Sequence, residues 1–356
     1  MAGIRHHILP RFLLKGFASQ INGKKVSTWV YRKNSKAFKA STKDVSVEKY
    51  FYGKDGGSNV DPEITELEIK FAALLTELRG CSSKEEVDDP RVAEFITHLC
   101  TRTKHLRDSF RESTEFLLES LEEYLSDFGN LKGLILSDPQ IMRNAFEAKI
   151  KDFQIPQHQK DIIMSLLPSM ASTLLDQQKS EFQSLAKTLL VQVQETLPIM
   201  VKEAHITTLS QELIPEPRVG NYRSLKWFVL HSKVLLVLGD VGCLFEVSGN
   251  RYKSLDSEDK LENIFLPIAS DRMLVGTSSK SAPKIDFQSF KEAYIKQSRE
   301  YFVCSEPSTE MASLASSIGE ASEIISKAEL EQIIKEMLLK KKPYSIFFPG
   351  EVRPIS

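Results

Sequence analysis

Five short apolar runs between residues 227 and 275 constrain the fold of this chain more than any other feature. The runs are rich in Val, Leu, Ile and Phe, and glycines at 239, 242 and 249 separate several of them. Continuous apolar runs of this length are typical of strands that are buried on both faces of a sheet. We therefore expect a buried C-terminal sheet, mixed or antiparallel, with strands at Trp227–Leu230, Val234–Leu238, Cys243–Val247, Ile264–Leu266 and Met273–Val275.

A second, smaller sheet is predicted near the N-terminus. Asn22-Gly23 lies between two segments with strand-like residues, and this dipeptide is the strongest short-range signal for a two-residue hairpin turn. A further strand around Ala37–Ala40 would extend the hairpin. The last strand, Tyr301–Cys304, follows a predicted helix at Phe287–Ser298, and the C-terminal sheet is one that the hairpin could join.

The middle of the chain, residues 61–213, has the periodicity of helices. One stripe of apolar residues runs from Ile64 to Leu78, and a second runs from Val92 to Leu99 behind the Asp89-Pro90 start signal. Pro156, Pro168 and Pro198 interrupt the later helical region. Together these patterns predict an α+β fold with an N-terminal hairpin sheet, a long helical middle, a C-terminal sheet and a terminal amphipathic helix.

The domain prediction follows the same boundaries. We expect one domain over residues 1–305, composed of a basic hairpin segment (1–60), a helical region (61–213) and a sheet region (214–305). Residues 305–323 are rich in Ser, Glu and Ala and are predicted to form a linker. A terminal amphipathic helix at Ile324–Leu339 and a tail complete the 306–356 segment.

Composition favours an ordinary cytoplasmic protein. The 356 residues are 41% hydrophobic and 27% charged, and no apolar run approaches the roughly 20 residues of a membrane helix. The first residues lack the long apolar region of a signal peptide. Four cysteines, at 81, 100, 243 and 304, are too far apart in sequence for a metal-binding pair, so we expect reduced thiols and no membrane partner.

The near-neutral net charge of −1 hides a strong asymmetry along the chain. Residues 1–43 contain ten Lys or Arg and no Asp or Glu, so the remainder sums to −11. Residues 61–127 contain 17 acidic and 8 basic residues. The basic arm (residues 1–43) therefore either packs against those acidic helices or faces an anionic partner such as nucleic acid or another phosphate-bearing ligand.

The basic arm also contains the densest group of chemically active side chains. His6 and His7 are adjacent, Arg11 and Lys15 follow, and Pro10 with Gly16 fits the start and end of a short helix. Imidazoles serve as proton carriers or metal ligands near neutral pH, so one interpretation of the pair is a functional site. For a histidine pair seen alone, a packed N-terminal helix with histidines on the surface is the favoured interpretation.

These residues resemble the opening motif of a bacterial family, the domain of unknown function 4238. The resemblance is carried by His6-His7-x-x-Pro10-Arg11-Phe12-x-Leu14-x-x-Phe17 and continues through later segments of the chain. Those segments are Trp29-Val30-Tyr31, Val47-Glu48-x-Tyr50-Phe51-Tyr52, Glu63 with Glu68, and Phe265-Leu266-Pro267-Ile268. The family usually reads Ser-Asp-Asn-Pro where this chain has Gly239-Asp240-Val241-Gly242. The resemblance covers most of residues 5–305 and implies a fold but almost no function.

No complete catalytic signature is present in the sequence. There is no phosphate-binding glycine loop, no Gly-x-Ser-x-Gly elbow and no His-Glu-x-x-His pair. The His6-His7-x-x-Pro10 segment is similar to the first half of a histidine-based nuclease motif, but the downstream residues of such a motif are missing. Asp240 follows an apolar run at a predicted turn, where a carboxylate either faces a cleft or only forms the turn.

The leading hypothesis is a phosphodiester-acting, nuclease-like hydrolase or effector. His6 or His7 would be the general base or a metal ligand, and Glu68 or Asp240 would orient a histidine or bind a divalent metal ion. Arg11, Lys15 and Arg102 would hold phosphate oxygens. The alternatives are a non-catalytic anion or nucleic-acid binding module and a helical partner-interaction protein.

Two expectations concern where the candidate residues lie in the structure. His98 and Arg102 are four residues apart and would lie on the same side of one helix, where surface exposure is the favoured interpretation. His6, His7 and Arg11 should share one cleft with at least one of Glu68, Arg102 and Asp240.

Overall fold

A computed structural model describes residues 5–52, 60–137, 147, 155–249, 251–254, 260–323 and 327–340. The described residues form two compact units. The first contains those up to Phe110, those from 201 to 329 and Lys340, and the second contains those of 111–200 and 330–339. The predicted α+β class is confirmed.

The N-terminal hairpin forms as predicted. Strands β2 (Gln20–Asn22) and β3 (Lys25–Arg32) flank a turn in which Gly23 has a φ of +57°, a value that glycine adopts without strain. Strand β4 (Phe38–Ser41) pairs with β3, which confirms the extension of the hairpin. The C-terminal strand β13 (Tyr301–Cys304) also pairs with β3 and in turn with β8 (Leu238–Gly239), so the hairpin sheet takes in two distant strands.

The larger C-terminal sheet is antiparallel and has six strands among the residues that the structure describes. Their order is β10 (Arg251–Lys253), β9 (Leu244–Val247), β11 (Leu261–Ala269), β12 (Arg272–Thr277), β7 (Lys226–His231) and β6 (Glu85–Val87). Strand β6 comes from the region predicted to be helical. The run Val234–Leu238 is only in part a strand, because within it Leu238 alone lies in β8, although Leu236, Val237 and Leu238 are buried. Apolar character therefore predicted its burial but not its conformation.

Helices pack on these sheets in the first unit. The chain runs through α1 (Arg11–Leu14), a 3₁₀ turn (Lys15–Phe17), α2 (Val60–Gly80) and α3 (Arg91–Thr101). After the second unit it continues with α8 (Glu216–Arg223), α9 (Phe287–Gln297) and α10 (Thr309–Leu314). The predicted stripes of α2 and α3 lie in one apolar core with the six-stranded sheet, since Phe71, Leu75, Phe95 and Ile96 are fully buried.

Among the residues that the structure describes, four helices of the 104–211 segment contribute to the second unit, which also takes in residues 330–339 of the terminal helix. They are α4 (Lys104–Ser126), α5 (Phe128–Ser137), α6 (Gln157–Gln177) and α7 (Lys179–Gln211), of which α4 begins and α7 ends in the first unit. A small core in this unit contains Phe128, Leu131 and Leu175, with Phe182 and Ala186 packed against it. Helix α11 (Lys327–Lys340) matches most of the predicted terminal helix; residues 324–326 and the tail from 341 lie outside the described residues.

The segment predicted to be a linker is folded in its middle. Residues Thr309–Leu314 form α10, and Ser308 caps this helix by accepting a hydrogen bond from the main-chain N–H of Met311. Met311, Ala315 and Ile318 are buried in the main core. The linker prediction rested on the many small and polar residues of this segment. It was wrong because three apolar side chains are enough to anchor a short segment in the core.

All four cysteines are free thiols, and Cys100, Cys243 and Cys304 are buried. No helix among the described residues is long and apolar enough to cross a membrane.

Candidate functional site

The two adjacent histidines lie on a strand and not on a helix. Strand β1 (Arg5–His7) pairs antiparallel with β5 (Val47–Lys49), with His6 opposite Glu48 and His7 opposite Val47. Successive side chains of a strand point to opposite faces, so the two imidazoles diverge. The predicted short helix forms directly after Pro10, at Arg11–Leu14, and the 3₁₀ turn that contains Gly16 follows it.

His6 has a structural environment. Its side chain is buried, its Nδ1 accepts a hydrogen bond from the main-chain N–H of Tyr52 at 3.0 Å, and its ring stacks on that of Tyr52. The imidazole therefore fixes the main chain where β5 leads into residues 50–52. The expectation of a surface histidine is wrong for His6, because the loop partner that buries it is 46 residues away.

His7 is half-buried and held at one nitrogen. Its Nε2–H donates to the main-chain carbonyl oxygen of Thr42 at 3.3 Å, which assigns the proton of the neutral ring to Nε2. Nδ1 then has a free lone pair, and none of the hydrogen bonds among described residues uses it. Burial lowers the pKa of His7. The Thr42 hydrogen bond and the Glu68 charge oppose this shift, and the nearby Arg102 and Arg11 charges reinforce it.

Arg102 lies behind His7 and is almost completely buried. Its Nε donates to the Tyr52 hydroxyl at 2.8 Å, and its Nη2 donates to the main-chain carbonyl oxygen of His7 at 2.5 Å. Its Nη1 donates to Glu68 Oε1 at 2.7 Å and to His98 Nε2 at 2.8 Å. At least four of the five donors of this guanidinium are thus engaged within the protein.

The exposure predicted for His98 and Arg102 is wrong. Both side chains are buried, at 0% and 1% exposure, because Glu68, Tyr52 and the His7 carbonyl supply the partners that a buried guanidinium requires. Burial alone would lower the pKa of Arg102, but Tyr52 and Glu68 outweigh it and raise that pKa. Burial also holds the pKa of His98 well below its ordinary value, with Arg102 as a second cause. Arg102, which was expected to bind phosphate, contacts partners within the protein.

Arg11 and Lys15 are more accessible than Arg102. Arg11 donates from Nε to the Thr42 hydroxyl at 3.4 Å and from Nη2 to the Lys24 carbonyl oxygen at 3.5 Å. Both bonds are long and therefore weak, so a stronger anionic acceptor could replace them. Lys15 is exposed in the 3₁₀ turn, and its ammonium forms no ion pair with any described residue.

The structure brings together one part of the expected site. A polar cluster contains His7, Arg11, Glu68 and Arg102, and the charges of the last three shift the pKa of His7. Thr42 contacts both His7 and Arg11. We call this polar cluster the His7 cluster. His6 points away from it, and Asp240 lies elsewhere in the first unit.

The comparison with protein families agrees with the motif on which this cluster is built. The profile of the family described as "Protein of unknown function (DUF4238)" matches residues 5–304. The chain belongs to the DUF4238 family. No curated protein and no solved structure matches it.

Asp240 occupies a second polar site in this DUF4238 protein. It follows β8 directly and accepts hydrogen bonds from the main-chain N–H groups of Arg299 at 2.9 Å and Glu300 at 2.7 Å. Burial raises the pKa of Asp240 to about 6 in spite of these donors. No lysine or arginine among the described residues forms an ion pair with its carboxylate.

Asp240 lines a cavity of about 290 Å³. Both carboxylates and positively charged side chains line the cavity, and Lys104 forms an ion pair with Glu300 there. Its charged lining residues are Arg32, Asp44, Glu48, Lys104, Asp108, Asp240, Arg299 and Glu300, with His105 beside them. None of His6, His7, Arg11, Glu68 and Arg102 lines it, so the cavity is separate from the His7 cluster.

A divalent metal ion was one expected cofactor. In the parts of the chain that the structure describes, no three His, Cys, Asp or Glu side chains come together as a ligand set.

The basic arm of this family member is not neutralised by the acidic helices through ion pairs. Among described residues, Arg5 with Asp44 is the one ion pair that a lysine or arginine of residues 5–43 makes. Most of the arm's other cations are exposed: Lys15, Lys24, Lys25, Arg32, Lys33, Lys36, Lys39 and Lys43. These side chains are therefore open to solvent.

Sequence reasoning missed the residues that organise the cluster. Thr42 is fully buried and Tyr52 nearly so, and each joins segments that are distant in sequence. A second buried guanidinium, Arg107, donates to His205 Nδ1 at 3.0 Å and to the Phe51 carbonyl oxygen at 2.8 Å. The sequence did contain one signal, since Tyr52 belongs to the family element 47–52. That element did not indicate which residues Tyr52 would contact.

Proposed function

We propose that this protein is a hydrolase that acts on phosphodiesters, with His7 as the general base. The observation that carries the proposal is the pairing of His7 and Arg11 on Thr42, a proton acceptor beside a guanidinium whose own hydrogen bonds are weak. An imidazole with a pKa below its ordinary value is neutral at pH 7, so its free Nδ1 can accept a proton.

Each residue of the His7 cluster has a role in this proposal. Arg11 would bind a non-bridging oxygen of the phosphate, and His7 Nδ1 would take a proton from the attacking water. The new oxygen–phosphorus bond forms as the bond to the leaving oxygen breaks, and the leaving oxygen takes a proton from solvent. Arg102 and Glu68 are positioning residues, because Arg102 holds the His7 main chain, Glu68 holds Arg102, and both act on the His7 ring only through charge.

Nucleic acid is the substrate class that the surroundings favour. The Lys24 carbonyl accepts from Arg11, and Lys43 follows Thr42 directly, so exposed ammonium groups lie on the segments that hold the cluster. Lysines spread over a surface bind a polyanion through release of its counterions, without sequence specificity.

The test is cleavage of short single- and double-stranded DNA and RNA, with and without a divalent cation. His7→Gln retains a donor for the Thr42 carbonyl but has no basic nitrogen, so we expect cleavage to fall by on the order of 100-fold or more. His158→Gln, in an exposed part of α6, is the control and should leave the rate unchanged. The wild-type rate should fall as the pH drops through the lowered pKa of His7, because protonation removes the base.

Two results would refute the proposal. Wild-type protein that cleaves none of these substrates has no such activity. Cleavage that survives His7→Gln as fully as His158→Gln assigns the reaction to another site. Melting temperatures of both variants show whether a loss of rate comes from unfolding.

A non-catalytic nucleic-acid binding module is the second candidate, and the exposed arm cations without ion pairs favour it. In that case wild type and His7→Gln would bind oligonucleotides equally and cleave none, with an affinity that falls steeply as salt rises. Replacement of Lys33 and Lys36 by Glu would weaken binding, and salt-independent affinity would exclude this candidate.

A further inference from the structure

Exposed apolar side chains are concentrated in the second unit. Of the 15 large apolar side chains that are exposed among described residues, only Ile21, Phe38 and Ile69 lie in the first unit, which leaves 12 in the second. Scattered exposed apolar residues are normal, but a concentration in one part of a protein indicates a contact surface.

Helix α7 arranges these side chains in a regular way. Alternating steps of four and three residues connect a seam that stays on one face of a helix. The seam is Phe182, Ala186, Leu189, Val193, Thr196 and Met200. It extends for about 27 Å at the rise of an α-helix.

Only the first end of the seam is covered. Phe182 and Ala186 pack against the small core of the second unit. Leu189, Val193 and Met200 are exposed by 52%, 39% and 54%. Two residues of the seam therefore pack within the second unit, and the others lie on its surface.

Polar groups on the seam are already satisfied. The Thr196 hydroxyl donates to the Gln192 carbonyl oxygen at 3.0 Å within the same helix, so it can enter an apolar contact without losing a partner. Between Lys187 and Lys202 the helix has one charged residue, Glu195. At roughly 100° per residue, Glu195 lies about 160° around the helix from Val193, on the side away from the seam.

We propose that the exposed seam of α7 packs against the same seam of a second copy of this chain. A twofold axis places a surface against its own copy, so a charged residue close to the axis would meet its own like charge. A seam without charge, flanked by Leu185, Gln192 and Ile199, meets this requirement. A membrane-binding helix would instead have lysines or arginines bordering its apolar face.

Other apolar surface in the same unit would enlarge such an interface. Helix α6 exposes Ile162 and Met170, eight residues apart and thus on one face. Stable interfaces bury about 800 Å² on each partner, which is more than one short seam supplies. The contact with the second copy would therefore have to include apolar side chains of α6 as well.

The experiment measures the molar mass of the full chain in solution by light scattering after size-exclusion chromatography, at concentrations between about 1 and 100 µM. Wild type should be a dimer at the upper concentrations. Val193→Glu places a charge in the seam and should give a monomer. Val191→Glu is the matched control, because Val191 is also 39% exposed but lies about 160° from Val193 around the helix, and this variant should remain dimeric.

Leu189→Glu is a second seam variant in case Val193→Glu unfolds, and circular dichroism of each variant identifies an unfolded sample. Wild type that is monomeric at every concentration would overturn the proposal. Equal dissociation of the Val191 and Val193 variants, or a Leu189 variant that folds and stays dimeric, would also overturn it. A monomer that sediments with phosphatidylcholine vesicles through the seam would replace the second copy by a lipid surface.

Discussion

Arg102 and His7 are joined through the main chain and not through the imidazole: Arg102 Nη2 donates to the His7 carbonyl oxygen, which also accepts from the Tyr52 hydroxyl at 3.2 Å. The imidazole of His7 donates to the Thr42 carbonyl oxygen, and its Nδ1 remains available to a ligand. A buried guanidinium thus supports the strand, while the side chain on that strand keeps a free nitrogen.

Replacement of Arg102 should destabilise the fold. Arg102→Met removes the guanidinium that donates to the Tyr52 hydroxyl, the His7 carbonyl and Glu68, and we expect a loss of about 3 kcal/mol or more in the free energy of unfolding. Arg223→Met is the control, since Arg223 pairs with Glu216 at a half-exposed site and should cost about 1 kcal/mol or less. Urea unfolding of both variants measures the difference, and equal losses would contradict the structural role of Arg102.

Gly16 should not tolerate a side chain. A Cβ at this position would lie 2.3 Å from the Ile268 carbonyl oxygen and 2.5 Å from Arg79 Nη2, and the first of these atoms belongs to the main chain of β11. Gly16→Ala should therefore destabilise the protein by about 1–3 kcal/mol. Gly80→Ala has open space around the new methyl group and should be neutral or slightly stabilising. Thermal melts compare the two, and a neutral Gly16→Ala would show that the close approach is not rigid.

Asp240 should make the fold less stable as pH rises. Its pKa is raised from 3.8 to about 6, so the folded state binds this proton more tightly than the unfolded chain does. The stabilisation from the protonated carboxyl is complete below pH 3.8 and is lost as pH rises through about 6. A carbon-13 titration of the Asp240 carboxyl would check the midpoint, and a midpoint near the ordinary value of 3.8 would contradict the burial that the structure assigns to this group.

The buried histidines should have the opposite effect in the same pH range. Burial lowers the pKa of His105 and of His205 to about 4, with the Arg299 and Arg107 charges as second causes. Since the unfolded chain takes up these protons first, stability falls as pH drops from 6.5 towards 4. His205→Gln should reduce this dependence in urea unfolding at a series of pH values. His158→Gln, at an exposed position, should not change it.

Local patterns in the sequence were sufficient for much of the architecture. Asn22-Gly23 predicted the hairpin, and the stripes of α2 and α3 predicted which side chains are buried, because turns and periodicity depend on neighbours within a few residues. The opening motif predicted the family, which the profile match confirms.

The organisation of the His7 cluster came only from the tertiary structure. Arg102 contacts Glu68, Tyr52 and His7, which are 34, 50 and 95 residues away, and the alternation of His6 and His7 follows from a strand that pairs with residues 47–49. Whether a charged side chain is buried depends on partners that neutralise it, and no pattern in its own segment specifies them. The sequence by itself therefore determined the elements and the candidate residues, whereas packing decided which of those residues support the fold and which one keeps a free nitrogen.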